Sequence, residues 1–205
     1  ETMEPTDKLA HVLPALSTLV AGIDPAQLDD PTPCDHFAVR DVLDHMIVLG
    51  GTFSYLFRGE EPPTIVAPPP NGTVPSAPFQ TTMTDLLDAV RSEGALERTS
   101  VSPVGPMPGS DFARLVAIDG LAHGWDPATA TRPPDEPPEP VVAAVDDFAR
   151  AAITADLRDG DTFKDATIPA EGASRLERLA AFSGRTIRTP SPATSPTPSP
   201  ITPKG

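Results

Sequence analysis

Apolar residues recur three and four positions apart along most of this chain, and this helical spacing constrains the fold more than any other feature. The predicted helices cover residues 9–23, 39–58, about 82–91, a segment from Ser110 onward, about 141–156 and about 173–182. A strand is indicated only over a few residues near 99–104. Several helices joined by loops, without alternating strands, predict an all-α helical bundle.

Prolines mark the breaks in this pattern. Pro14 predicts a kink or a late start for the first helix, and Ser110 is predicted to be the N-cap of the fourth. Residues 59–78 contain too many prolines and glycines for regular structure, so they predict a long surface loop of the kind that often lines a site. The Pro/Ser/Thr-rich residues 186–205 predict a disordered tail, which leaves residues 4–185 as one folded domain.

Charge and cysteine content limit the classes of partner. The 205 residues carry a formal net charge of −14, which would repel nucleic-acid phosphates and anionic membrane surfaces. The sequence lacks the roughly 18 to 20 consecutive apolar residues that span a bilayer. A single cysteine, Cys34, allows no intrachain disulfide. We therefore expect a cytoplasmic protein that binds small molecules, with neither nucleic acid nor a membrane as a partner.

Two polar residues, Asp119 and His123, lie on the apolar stripe of the fourth predicted helix. They are four positions apart, so both side chains project from one face about a turn from each other. A divalent metal ion would stabilise a carboxylate there, because carboxylate oxygen and imidazole nitrogen are ordinary zinc ligands. His45, midway along the apolar second helix, is the best candidate for a third ligand, whereas His11 and His36 fit less well.

Each of these residues also has a simpler interpretation. Asp119 and His123 have the spacing of a hydrogen-bonded or ion-paired couple on a helix. A helical histidine such as His45 is commonly a packed core residue. Only the coincidence of all three favours a metal site.

Two segments carry a family resemblance, PTPCDHFAVRDVLDHM at residues 31–46 and DGLAHGWDPATAT at residues 119–131. In this order and separation they resemble the signature segments of the DinB-like metal-binding bundles, in the branch related to the N-terminal domain of mycothiol-dependent maleylpyruvate isomerase. The resemblance extends from the first helix to SRLERLAAFSGR and excludes the tail. It implies an up-down-down-up four-helix bundle with extra C-terminal helices packed outside it.

The resemblance also implies the residues of the site. Matched by position, the family's metal ligands are His45, Asp119 and His123, the same residues that the apolar stripes single out. Asp126, three positions after His123, is expected to orient one of these ligands without binding the metal itself. Pro127 stands where leucine is common in the family, and it predicts a bend near the end of the fourth helix.

Three protein ligands leave a coordination position open, which indicates catalysis more than a structural role. The resemblance implies that a low-molecular-weight thiol, mycothiol or a similar one, is the cosubstrate. We therefore predict a thiol transferase or isomerase that acts on an electrophilic small molecule lying under residues 60–80. Cys34 is interpreted as a packing residue, because the family draws its thiol from a small molecule.

Several points stay open at the level of sequence. A hydrolase that uses metal-bound water and a non-catalytic metal-binding bundle are the alternative functions. Zinc is the first choice of metal, and nickel, manganese and iron are also compatible with the ligands. Both a monomer and a homodimer are compatible with the sequence.

Overall fold

In a computed structural model the chain forms a bundle of four helices with two shorter helices outside it. The structure describes residues 3–34, 36–63, 74–102, 105–131, 137–158, 160 and 163–187. The helices are α1 (Pro5–Ala21), α2 (Val39–Arg58), α3 (Ser76–Val90), α4 (Gly109–Thr131), α5 (Glu139–Ala152) and α6 (Arg175–Phe182). Strands β1 (Thr99–Ser102) and β2 (Gly105–Pro108) pair antiparallel, and single 3₁₀ turns cover Pro25–Gln27 and Ala155–Leu157.

The four long helices close around one core. Helices α1 and α2 each contact both α3 and α4, so α1 and α2 lie at opposite corners of the bundle. Phe112 of α4 packs between two rings of α2, with ring centroids 5.1 Å from Phe53 and 4.9 Å from Phe57. Helix α5 packs on α1 and α4, and α6 packs on α4 and α5. The predicted all-α bundle with extra C-terminal helices is confirmed.

Helix α2 has the predicted bounds because both of its ends are specified locally. At its start, the Asp41 carboxylate accepts a hydrogen bond of 2.8 Å from the Ala38 N–H, which would otherwise lack a helical partner. At its end, Gly59 adopts the left-handed conformation, with φ of 74°. These two local signals determine where α2 begins and ends, and α2 is the helix that carries His45.

The start of α4 differs from the prediction, because the helix begins at Gly109 and Ser110 lies inside it. The N–H groups of Gly109 and Ser110 donate to the carbonyls of Arg98 and Leu96, each at 2.8 Å. These backbone bonds replace the expected N-cap side chain. A Cβ at position 109 would lie 1.9 Å from the carbonyl oxygen of Ala95, so only glycine fits.

Prolines interrupt the helices less than the sequence predicts. Helix α1 begins at Pro5 and includes Pro14, which lies on its exposed side, so the predicted late start is wrong. Helix α3 begins at Ser76, inside the predicted loop, because Pro78 lies in the first turn, where a missing N–H loses no helical bond. Helix α4 continues through Pro127 to Thr131.

Parts of two predicted segments lie outside the described residues, namely 64–73 of the loop and 188–205 of the tail. At the start of the predicted tail, Ile187 packs against the hydrophobic core. In the part of the chain that the structure describes, every helix is too short or too polar to cross a membrane.

Candidate metal and ligand site

Helices α2 and α4 bring His45, Asp119 and His123 together. The ring centroids of His45 and His123 are 4.9 Å apart, with the ring planes at 67°. One turn before His123, the Oδ1 atom of Asp119 lies 3.4 Å from His123 Nε2. The structure therefore places side by side the three residues that the sequence singles out. Their role as metal ligands stays a prediction.

The chemistry of these donors fits a divalent cation. Two atoms each about 2.1 Å from a tetrahedral ion lie about 3.4 Å from each other. The separation of Asp119 Oδ1 and His123 Nε2 equals this value, at 3.4 Å. Among the described residues, however, no group of three or more His, Cys, Asp and Glu side chains is already arranged to hold a metal ion. The fit thus rests on the type of the donor atoms and on the distance within this one pair.

Behind His123 lies a buried ion pair. The side chain of Asp126 on α4 is fully buried, and Arg185, 59 residues later, reaches it from the segment after α6. The Nη2 atom of Arg185 donates to Asp126 Oδ2 at 3.1 Å, and Nε donates to Oδ1 at 3.3 Å. A buried carboxylate needs such a countercharge, because desolvation strongly disfavours an isolated one.

The same pair faces the second nitrogen of the His123 ring. Arg185 Nη2 lies 3.2 Å from His123 Nδ1, and Asp126 Oδ2 lies 3.5 Å from it. Asp126 therefore occupies the position expected of a residue that orients His123, and that role stays a prediction. The sequence analysis did not select Arg185, because no residue spacing in the sequence relates a single arginine near the end of the folded part to the site. A buried Asp126 does require a cation nearby, and this requirement could have pointed to an arginine.

The charge state of His45 follows from its surroundings. Burial lowers the pKa of His45, the neighbouring His123 and Arg185 lower it further, and Asp119 opposes them. The neutral imidazole is therefore favoured near pH 7. This is also the form that donates a lone pair to a metal.

His45, Asp119 and His123 line a cavity of about 590 Å³, which is within the usual range for small-molecule sites. Most of the remaining lining is apolar: Pro33, Phe37, Leu49, Phe53, Phe112, Leu115, Val116, Ala122 and Phe163. Two cationic residues, Lys164 and Arg185, line it from the C-terminal segment. The half-buried Cys34 lines it from the loop before α2. The cavity thus combines an apolar body with a polar cluster of histidines, carboxylate and cations.

A further part of the cavity wall comes from residues 160, 163–164 and 183–186, and not from the described part of residues 59–80. This C-terminal segment is held by Arg158, which donates to the carbonyls of Lys164 at 2.7 Å and Phe182 at 2.9 Å. Gly184 has φ of 98°, and a Cβ there would lie 2.6 Å from Lys164 Cβ. Glycine therefore allows the segment to turn closely over itself beside the cavity.

A comparison with protein families matches residues 9–128 to the model described as the mycothiol maleylpyruvate isomerase N-terminal domain. The match includes most of α1, all of α2 and α3 and most of α4, and hence His45, Asp119, His123 and Asp126. It ends before the C-terminal segment that supplies Lys164 and Arg185.

Two relatives and two solved structures are also similar to this chain. Two uncharacterized proteins of Mycobacterium tuberculosis, from different strains, are each 31% identical over 190 residues, covering 91% of this chain and 100% of theirs. Crystal structures of the mycothiol-dependent maleylpyruvate isomerase and of a histidine-to-alanine mutant have TM-scores of 0.52 and 0.55. Both are 16% identical, and each alignment covers 70% of this chain and 68% of the other. At this identity the likeness shows a shared fold.

Proposed function

Because this chain belongs to the mycothiol maleylpyruvate isomerase N-terminal domain family, we propose that it is an enzyme that uses a divalent metal ion and a low-molecular-weight thiol. Its substrate is an electrophilic small molecule. One observation supports this proposal most: His45, Asp119 and His123 meet at the wall of a cavity of about 590 Å³. A site of this size accommodates a thiol and a second small molecule together.

His45 and His123 would hold the metal through ring nitrogens and Asp119 through a carboxylate oxygen. A divalent cation in that place lowers the pKa of a thiol that reaches it, which supplies a thiolate at neutral pH. In isomerisation the thiolate sulfur adds to one carbon of a double bond conjugated to a carbonyl, and the π electrons move onto the carbonyl oxygen. Rotation about the resulting single bond and expulsion of the same thiolate then restore the double bond in the other geometry. In transfer the sulfur replaces a leaving group, which departs with the electron pair of its broken bond to carbon.

The apolar lining would position the electrophile and exclude water. Phe37, Phe53 and Phe163 line the cavity, which favours a substrate with an apolar body. Lys164 adds a cation at the same wall. An electrophile that carries an anionic group, such as maleylpyruvate, therefore fits better than a neutral or cationic one.

We also propose that the folded unit extends to Arg185, as the sequence predicts. The ion pair between Arg185 and the fully buried Asp126 supports this boundary, because the unit would otherwise end with a buried unpaired carboxylate. Helices α5 and α6 pack on the bundle and support the same extent.

Thiol addition to an electrophile tests the activity. The full chain is loaded with zinc, nickel, manganese or iron(II) and assayed with mycothiol and either maleylpyruvate or a chlorodinitrobenzene. We expect a metal-dependent acceleration over the free thiol, lost in His45→Ala, Asp119→Ala and His123→Ala. His11→Ala is the matched control, because His11 is exposed on α1 outside the cavity.

Two results would contradict this proposal. Equal rates with and without protein, for every metal and electrophile, would reject the thiol-dependent reaction. Ester or amide cleavage without thiol, by the loaded protein and not by the three alanine variants, would assign the site to a hydrolase instead.

A further inference from the structure

Phe37 is an exposed aromatic residue at the edge of the cavity. It lines the cavity and is nevertheless 37% exposed. By contrast, Phe53 and Phe112, which line the same cavity from α2 and α4, are 6% and 2% exposed. A ring that borders both the solvent and the cavity lies at the cavity mouth, where a ligand passes it on entering.

The backbone of Phe37 is held at both of its polar groups. Its carbonyl accepts hydrogen bonds from the Thr32 N–H at 3.1 Å and the Thr32 hydroxyl at 2.8 Å, and its N–H donates to the Cys34 carbonyl at 3.1 Å. Directly before it, His36 has φ of 67°, in the left-handed region that residues other than glycine seldom adopt. Such a conformation persists only where its surroundings fix it, and it is concentrated at ligand sites. The chain thus maintains a strained turn that holds Phe37 at the cavity.

The Phe37 ring has a face to offer to a ligand. Its centroid lies 6.1 Å from that of the His45 ring, and the two ring planes meet at 72°. In an edge-to-face pair of this kind the edge of one ring meets the face of the other, so His45 covers at most one face of Phe37. The exposure of Phe37 shows that part of its remaining surface is open to solvent. A flat ligand stacked there would lie beside His45, one of the proposed metal ligands.

We infer that Phe37 is a specificity-determining residue whose ring stacks on planar, conjugated electrophiles and so selects them over saturated electrophiles of similar size. Offset stacking needs a flat π face on both partners, which conjugated carbonyl compounds and nitroarenes have and saturated compounds lack. The inference rests on the proposed function for the role of the ligand as an electrophile. It goes further by giving the shape of the substrate and the residue that recognises it.

Binding of two unreactive carboxylates tests the inference without added metal or thiol. trans-Cinnamate is planar and conjugated, whereas 3-cyclohexylpropanoate has the same charge and a similar size but a puckered, saturated ring. In calorimetric titrations of the full chain, we expect Phe37→Leu to weaken cinnamate binding about 3- to 10-fold, the effect of losing one aromatic pair. The affinity for 3-cyclohexylpropanoate should change less than about twofold. An equal loss for both ligands, or no saturable binding of cinnamate by the wild type, would overturn the inference.

Tyr55→Leu is the matched control, because Tyr55 on α2 is also 37% exposed and does not line the cavity. Its affinity for cinnamate should equal that of the wild type. Phe37→Tyr keeps a flat ring and should retain the wild-type affinity as well. An equal loss in Tyr55→Leu, or a loss in Phe37→Tyr as large as in Phe37→Leu, would contradict stacking on this ring.

The kinetics of the proposed reaction supply a second test. With chlorodinitrobenzene, Phe37→Leu should raise KM about 3- to 10-fold and change kcat less than about twofold, because stacking binds the ground state and the transition state alike. With 1-iodobutane, a saturated electrophile, both constants should stay near their wild-type values. An unchanged KM for chlorodinitrobenzene would contradict the role of Phe37. Absence of turnover by the wild type would reject the proposed function, whereas cinnamate binding would still decide whether Phe37 stacks on planar ligands.

Discussion

The inner wall of the cavity is regular helix, whereas the outer wall is irregular backbone held by arginines. On the inner wall, α2 and α4 present His45, Asp119 and His123 at positions set by the helical period. On the outer wall, residues 160, 163–164 and 183–186 depend on the contacts of Arg158 and Arg185 with groups far away in sequence. The comparison teaches that helix geometry places the proposed ligands, while a few charged contacts close the site around them.

The largest effect should come from the contact that joins the two walls. Arg185→Met leaves Asp126 buried without a countercharge, and we expect a loss of about 3–5 kcal/mol in the free energy of unfolding. Guanidinium denaturation measures it. The double variant Asp126→Leu/Arg185→Met should recover much of the loss, because both charges are then absent. A free energy of unfolding of Arg185→Met within about 0.5 kcal/mol of wild type would show that other contacts join the walls.

The inner wall should be most sensitive where α4 begins. In Gly109→Ala the new Cβ would meet the Ala95 carbonyl oxygen at 1.9 Å, and we expect a loss of about 2–3 kcal/mol. Gly120→Ala is the control within the same helix, since its Cβ would meet only the ends of Val12 and Leu16, at 3.2 and 3.4 Å. The better helix propensity of alanine should leave Gly120→Ala near neutral. Equal losses in the two variants would contradict a specific role for Gly109.

The outer wall also depends on cations stacked on an aromatic ring. The guanidinium carbons of Arg150 and Arg158 lie 4.8 and 4.6 Å from the centre of the Phe182 ring. Phe182→Leu should destabilise the protein by about 1–2 kcal/mol, because two cation–π contacts are lost. Phe148→Leu should cost about half as much in the same denaturation experiment, because among the described residues one cation, Arg114, stacks on that ring, at 5.5 Å. A larger loss of stability in Phe148→Leu than in Phe182→Leu would show that packing, and not the cations, holds this segment.

The smallest effect concerns an ion pair on the bundle surface away from both walls. A hydrogen bond from Arg58 holds the pKa of Asp85 below its usual value. A carboxyl with a lowered folded pKa stabilises the fold above its unfolded pKa, and the benefit is lost as the pH falls through the folded pKa. Solvent screens this half-exposed pair, so Asp85→Asn should cost only about 0.5 kcal/mol at pH 7. The difference between variant and wild type should shrink as the pH falls below 3.8, the usual pKa of an aspartate, and a constant difference would contradict the electrostatic cause.

Local signals explain which elements the sequence predicts well. The bounds of α2 follow from Asp41 and Gly59, both of which are readable from neighbouring residues. Helix α3 begins earlier than predicted, because Pro78 is tolerated in a first turn. The predicted fifth helix runs on to residue 156, whereas α5 ends at Ala152 and a separate 3₁₀ turn follows.

The residues of the site also separate into those that the sequence predicts and those that it does not. The convergence of His45, Asp119 and His123 follows from apolar stripes on two helices that face each other. The position of Arg185 depends on the packing of α6 and on a turn at Gly184, neither of which repeats with a period in the sequence. Strand β2 escapes prediction because it contains Pro106 and Pro108, and proline is rare within strands.

The central claim is that α2 and α4 together bind one divalent cation. Crystals of the zinc-loaded full chain, with diffraction data collected on both sides of the zinc absorption edge, test it most directly. The account predicts one anomalous peak within about 2.3 Å of a ring nitrogen of His45, of His123 Nε2 and of an Asp119 carboxylate oxygen. A zinc peak elsewhere in the molecule, or none in crystals grown with excess zinc, would contradict the account.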